Sequence, residues 1–254
     1  MKSLFAAILF TVSIPLTLLA SRYSDTIIHT VNIQFGYDQS IFPSTWLTKE
    51  INATGQPILP GEINRTKLII KAALSKYPDS LLSKELRVVY ILRSMSMYNV
   101  KFGGTNSNDA VYLTNEGKEQ GDSDWYIEQT FHHEFSSILY RNYPFLLDTV
   151  AWKAANISGF DYNDPEEGVG AIRKNSSSQD LDTTLCRVGF LTQYAYSGIE
   201  NDINSIAENL FKPADGFWDV VDHFPRIKEK VQLLIKFYHN INPVFTEEYF
   251  KKLN

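Results

Sequence analysis

The chain has 254 residues, 44% of them hydrophobic and 21% charged, an ordinary globular composition with enough apolar residues for a sizeable core. Its formal net charge is −5 with no long basic run, which argues against nucleic acid as a partner. The only cysteine, Cys186, excludes an internal disulfide, so the core must carry stability alone.

Met1 to Ser21 reads as a signal peptide. Lys2 gives the positive start, Leu4–Leu19 is mostly apolar, Pro15 interrupts it, and Ala20-Ser21 offers small residues for cleavage. The apolar part is short for a membrane span, which needs about 20 residues. The expectation is therefore an exported protein, secreted, periplasmic or held at the cell envelope, with residues 22–254 as one domain and no stable membrane span once the leader is removed.

In chain order, Thr26–Ile33 predicts a strand, and Asn64–Tyr77 a helix ended by Pro78 with Leu68, Ile69, Ala72, Ala73 and Leu74 on one stripe. Leu86–Leu92 predicts a strand, and Met95–Phe102 continues a sheet. Gly103–Asn106 reads as a turn and Ala110–Thr114 as a further strand. Ile127, Phe131, Phe135, Ile138 and Leu139 mark a helix. Leu146–Ala155 predicts a short helix, Asp164–Asp182 an exposed loop, and Glu200–Phe211 a helix with Ile203, Ile206, Ala207 and Leu210 inward. Phe224–His239 and a short segment from Thr246 complete a mainly helical C-terminal part behind a smaller β-containing N-terminal part, an α+β fold.

The chemistry concentrates in Phe131-His132-His133-Glu134-Phe135-Ser136-Ser137-Ile138-Leu139. Polar His132, His133 and Glu134 inside an apolar helix need partners, a metal or a proton to move. The window His133–Ser137 approaches H-E-x-x-H, in which two histidines hold zinc and the glutamate polarises a water, but Ser137 stands where the second histidine belongs. His132 points about 100° away from His133, and its natural partner is Glu128 at i, i+4. In the later helix the acids are Glu200, Asp202 and Glu208; Glu208 reads as a surface acid.

These stretches, with Ala151–Asn156, Gly159–Tyr162 and Tyr194–Ser197, resemble the zinc-binding metallopeptidases of gluzincin type found among secreted bacterial proteins. The resemblance implies a zincin-like fold, zinc as cofactor, and a peptide or protein as substrate or ligand. It implies His133 as a metal ligand; Asn201 stands where the resemblance puts a ligand glutamate, and a one-residue shift of register puts Glu200 there as the ligand. It implies Glu134 as general base, Tyr194 as a hydroxyl for a developing oxyanion, and Asp202, His132 and Ser137 as groups that orient the ligands. The degenerate ligand set leaves two readings: a zinc peptidase, or an inactive relative that binds a peptide or glycan-associated partner at the cell envelope.

Overall fold

A computed structural model describes residues 26–162 and 165–253. The leader read at Met1–Ser21 lies outside the described residues. Among these, no helix is long and apolar enough to cross a membrane.

Seven strands form one sheet: β1 (Thr26–Ile28), β2 (Val31–Gln34), β3 (Thr54–Pro57), β4 (Val88–Met97), β5 (Val100–Phe102), β6 (Gly104–Asn106) and β7 (Ala110–Thr114). The path runs β1-β2-β4-β7-β6, and β3 and β5 pair with the distal half of β4. β2, β4 and β7 are parallel, with Val89 opposite Ile33 and Val111. Side chains alternate across the sheet along β4. Val89 and Ile91 face the main core, while Val88, Tyr90 and Leu92 face a smaller cluster with Phe42 and Tyr112.

Among the described residues there are ten α-helices: α1 (Ile63–Leu74), α2 (Asp79–Glu85), α3 (Asp124–Asn142), α4 (Thr149–Ala154), α5 (Glu167–Arg173), α6 (Thr183–Cys186), α7 (Ile199–Phe211), α8 (Phe217–His223), α9 (Pro225–Ile241) and α10 (Glu247–Lys251). α3 is the axis of the molecule. Its start is fixed by Ser123, whose Oγ accepts from the Tyr126 amide at 3.1 Å, satisfying one of the free donors of the first turn. From Ile127 to Leu139 every residue is buried, because α1 and the sheet cover one side and α7 the other. The apolar stripe read from the sequence is thus one side of a helix enclosed all round.

The α+β architecture is as the sequence implies, with four local corrections. Thr26–Ile33 is a hairpin rather than one strand: His29 and Thr30 both take positive φ and turn the chain back. Tyr98 and Asn99 likewise turn β4 into β5, which keeps Met95–Phe102 in the sheet as read. In α1 the inward face is Ile69, Ile70, Ala73 and Leu74, whereas Leu68 and Ala72, read as part of that stripe, are exposed. Gly103–Asn106 is not a turn but contains β6, antiparallel to β7. The stretch read as the Asp164–Asp182 loop holds α5, whose Gly170 and Ala171 are buried; Asp164 itself lies outside the described residues.

Candidate functional site

α3 and α7 run antiparallel and meet through a ladder of polar pairs. His133 Nδ1 lies 2.7 Å from Glu208 Oε2. Asn204 Nδ2 donates to Ser137 Oγ at 2.7 Å, and Arg141 Nη1 donates to Glu200 Oε1 at 3.0 Å. At the other end Gln129 Nε2 donates to the Lys212 carbonyl at 2.7 Å. Each rung advances four residues on α3 and retreats four on α7, so the polar side chains occupy one i±4 ridge of each helix. The two middle rungs are fully enclosed: Ser137, Asn204 and Glu208 are buried, and His133 is nearly so. A buried polar group is costly unless partnered. The pairing satisfies one oxygen of Glu208 and the amide nitrogen of Asn204, while Glu208 Oε1 and Asn204 Oδ1 have no partner among the described residues.

Beside the ladder opens a cleft of about 440 Å³, lined by His133, Glu134, Tyr194, Gly104, Tyr126 and the Ser177–Asp180 segment among others. Glu134 Oε2 accepts from Asn106 Nδ2 at 2.5 Å, and the Asn106 carbonyl oxygen accepts from Arg141. Burial pushes the Glu134 carboxyl above its ordinary range, against the opposing pull of His133 and Asn106. Burial also works to lower His133, but the hydrogen bond and charge of Glu208 outweigh it and its proton is held more tightly than usual. The Tyr194 ring lies 5.9 Å from that of His133. Its hydroxyl stays protonated well beyond the ordinary range, through burial and the surrounding carboxylates. β6 passes directly over the helix: a Cβ on Gly104 would sit 2.5 Å from Thr130 Cγ2 and 2.8 Å from Glu134 Oε1, so only glycine admits this approach.

The predicted site residues therefore divide. His133, Glu134 and Tyr194 come together at the cleft. Glu200 does not line it; its carboxylate is held by Arg141. Ser137 turns to Asn204. Asp202 points elsewhere, accepting from Lys230, Trp152 and Tyr162. His132 is buried on the far side of α3, with Tyr77 OH 2.9 Å from its Nδ1 and Glu128 3.9 Å from its Nε2. Sequence reasoning missed Glu208, read as a surface acid but fully buried against His133. The i, i+3, i+4, i+7 run Asn201, Asn204, Ser205, Glu208 was the available signal, a continuous polar ridge that places Glu208 in line with small neutral polar residues.

Zinc can be tested against these donors. His133 suits a ligand, since a carboxylate on Nδ1 is the usual way to orient a metal-bound imidazole. A catalytic zinc takes three protein ligands plus water. The second position is a hydroxyl engaged by Asn204, and Glu200 is engaged by Arg141. Among the described residues no group of three or more His, Cys, Asp or Glu side chains gathers as a metal site. The donor set does not fit catalytic zinc.

The architecture, a small sheet beside a mainly helical C-terminal part with a central cleft-lining helix, is a metallopeptidase-like α+β fold. It matches the crystal structure of a putative zinc-binding metallo-peptidase from Bacteroides caccae at a TM-score of 0.55, with 16% identity over 89% of this chain and 84% of that one. At that identity the likeness is one of fold. No family model matches the chain, and no curated protein does.

Proposed function

We propose that this chain is a non-hydrolytic relative of the metallopeptidases, using the cleft beside α3 to bind a peptide at the cell envelope. The observation that carries this reading is the Ser137–Asn204 pair: at the position where the resemblance implies a second zinc ligand, the Asn204 amide donates to the Ser137 hydroxyl across the α3–α7 interface, so a neutral hydrogen bond occupies that place. Peptide as the ligand is supported by β6. One edge of β6 pairs with β7, and among the described residues no strand pairs with the other. An extended peptide can add to a free strand edge through main-chain hydrogen bonds. Tyr194 and protonated His133 would donate to its carbonyls, and Glu134 would accept from an amide.

The test is a screen of an unbiased peptide library against the purified protein, followed by mass spectrometry of the retained peptides. The reading predicts intact retained peptides, with retention lost when Gly104→Val crowds the cleft. Cleaved products that disappear with a chelator would overturn it in favour of a zinc peptidase.

A further inference from the structure

Away from the cleft, α9 buries a lysine. Lys230 has no solvent exposure, and its ammonium sits 4.5 Å above the Phe190 ring and 5.3 Å from that of Trp152. Its Nζ contacts three oxygens, each at 2.5 Å: the Asn156 side-chain carbonyl, the Gly189 backbone carbonyl and Asp202 Oδ2. Asn156 and Asp202 are themselves buried, and Asp202 Oδ1 has no partner among the described residues. Tyr162 closes the circuit: its hydroxyl accepts from Asn156 Nδ2 at 3.0 Å and donates to Asp202 Oδ2 at 2.5 Å. Gly189, at φ +105°, brings its backbone against Asn156; a Cβ there would lie 3.0 Å from Asn156 Oδ1.

An amine, a carboxamide and a carboxylate thus meet in one buried cluster, with a hydroxyl linking the carboxylate to the nitrogen that would leave. The geometry points to a self-formed amide cross-link between the side chains of Lys230 and Asn156, with Asp202 and Tyr162 moving the protons. Asp202 takes a proton from the Lys230 ammonium. The freed Nζ lone pair attacks Asn156 Cγ, forming the C–N bond. Asp202 returns the proton through Tyr162 to Asn156 Nδ2, the Cγ–Nδ2 bond breaks, and ammonia leaves with the second proton of Nζ. No oxidant or cofactor enters the balance. Burial favours the neutral amine, lowering the Lys230 pKa against the pull of Asp202. The bond would tie α9 to the segment after α4, a covalent brace in a chain whose single cysteine permits no internal disulfide.

The experiment is peptide mapping of the purified full chain by mass spectrometry. Trypsin does not cut after an acylated lysine, so the cross-link predicts a branched peptide joining the Asn156 and Lys230 segments, lighter by about 17 Da for lost ammonia. Recovery of both residues only in linear, unmodified peptides would overturn it. A link lighter by about 18 Da and joining Lys230 to Asp202 would overturn the assignment of Asn156 as the acyl partner. The wild-type map decides without any variant. Asp202→Asn and Lys230→Arg are both expected to yield linear peptides alone, and a fully formed bond in Asp202→Asn would remove Asp202 from the chemistry.

Discussion

Removing His133 tests whether the ladder is structural. Glu208 is completely buried, its Oε1 has no hydrogen-bond partner, and the one partner of Oε2 is His133. His133→Ala therefore leaves a buried carboxylate alone. Breaking a buried ion pair from one side costs about 3–5 kcal/mol, limited here by the capacity of Glu208 to take up a proton. The apolar part of the loss is small, because the imidazole borders the cleft rather than a sealed core. Glu208→Gln keeps a hydrogen-bonding group and should cost about 1–2 kcal/mol. In His133→Ala/Glu208→Ala nothing is orphaned, and the double variant should be more stable than the sum of the His133→Ala and Glu208→Ala losses by about 2 kcal/mol, within the range of contacting pairs. Urea unfolding at pH 7 measures all of these. Additivity of the two alanine variants within about 0.5 kcal/mol would refute the coupling.

Three further outcomes follow from the structure. Burial holds His132 neutral, its pKa pushed down to about 4 despite nearby Glu128, so its contribution to stability is full above the unfolded value near 6.5 and is lost as pH falls toward 4; the difference corresponds to on the order of 3 kcal/mol. Urea midpoints should therefore fall between pH 7 and 4.5, and His132→Phe should flatten that part of the profile. Gly104→Val should destabilise the fold by about 1–3 kcal/mol through contact with Thr130 and Glu134, read by thermal unfolding. Ser137→His should not create a zinc site, because the new ring must displace the Asn204 amide from a closed interface; a loss of about 1–3 kcal/mol without zinc stabilisation is expected in the same assay.

Much of this fold was legible because periodicity reports burial. β4 and β7 carry continuous apolar runs, as strands covered on both faces do, and the long helices α3, α7 and α9 carry apolar stripes. The hairpin turns were not legible, since His29-Thr30 and Tyr98-Asn99 take positive φ without glycine and so lack the usual signal. β6 was hidden by its own glycine, which reads as a turn but serves the close approach to Glu134. At the site, His133 and Glu134 stood out as charges in an apolar helix. Glu208 and Lys230 did not, although each lies on the inward stripe of its helix: Lys230 sits between Ile227 and Val231, both buried. Burial of such groups depends on partners supplied from distant segments, Glu208 by His133 and Lys230 by Asn156 and Asp202. No local pattern encodes those meetings.

We propose that hydrogen bonding across the α3–α7 interface stands where the resemblance implies metal ligation. Zinc titration of the metal-stripped protein at neutral pH, read by calorimetry and by elemental analysis after dialysis, tests it most directly. The account predicts no retained zinc. One tightly held zinc per chain, abolished by His133→Ala, would contradict it.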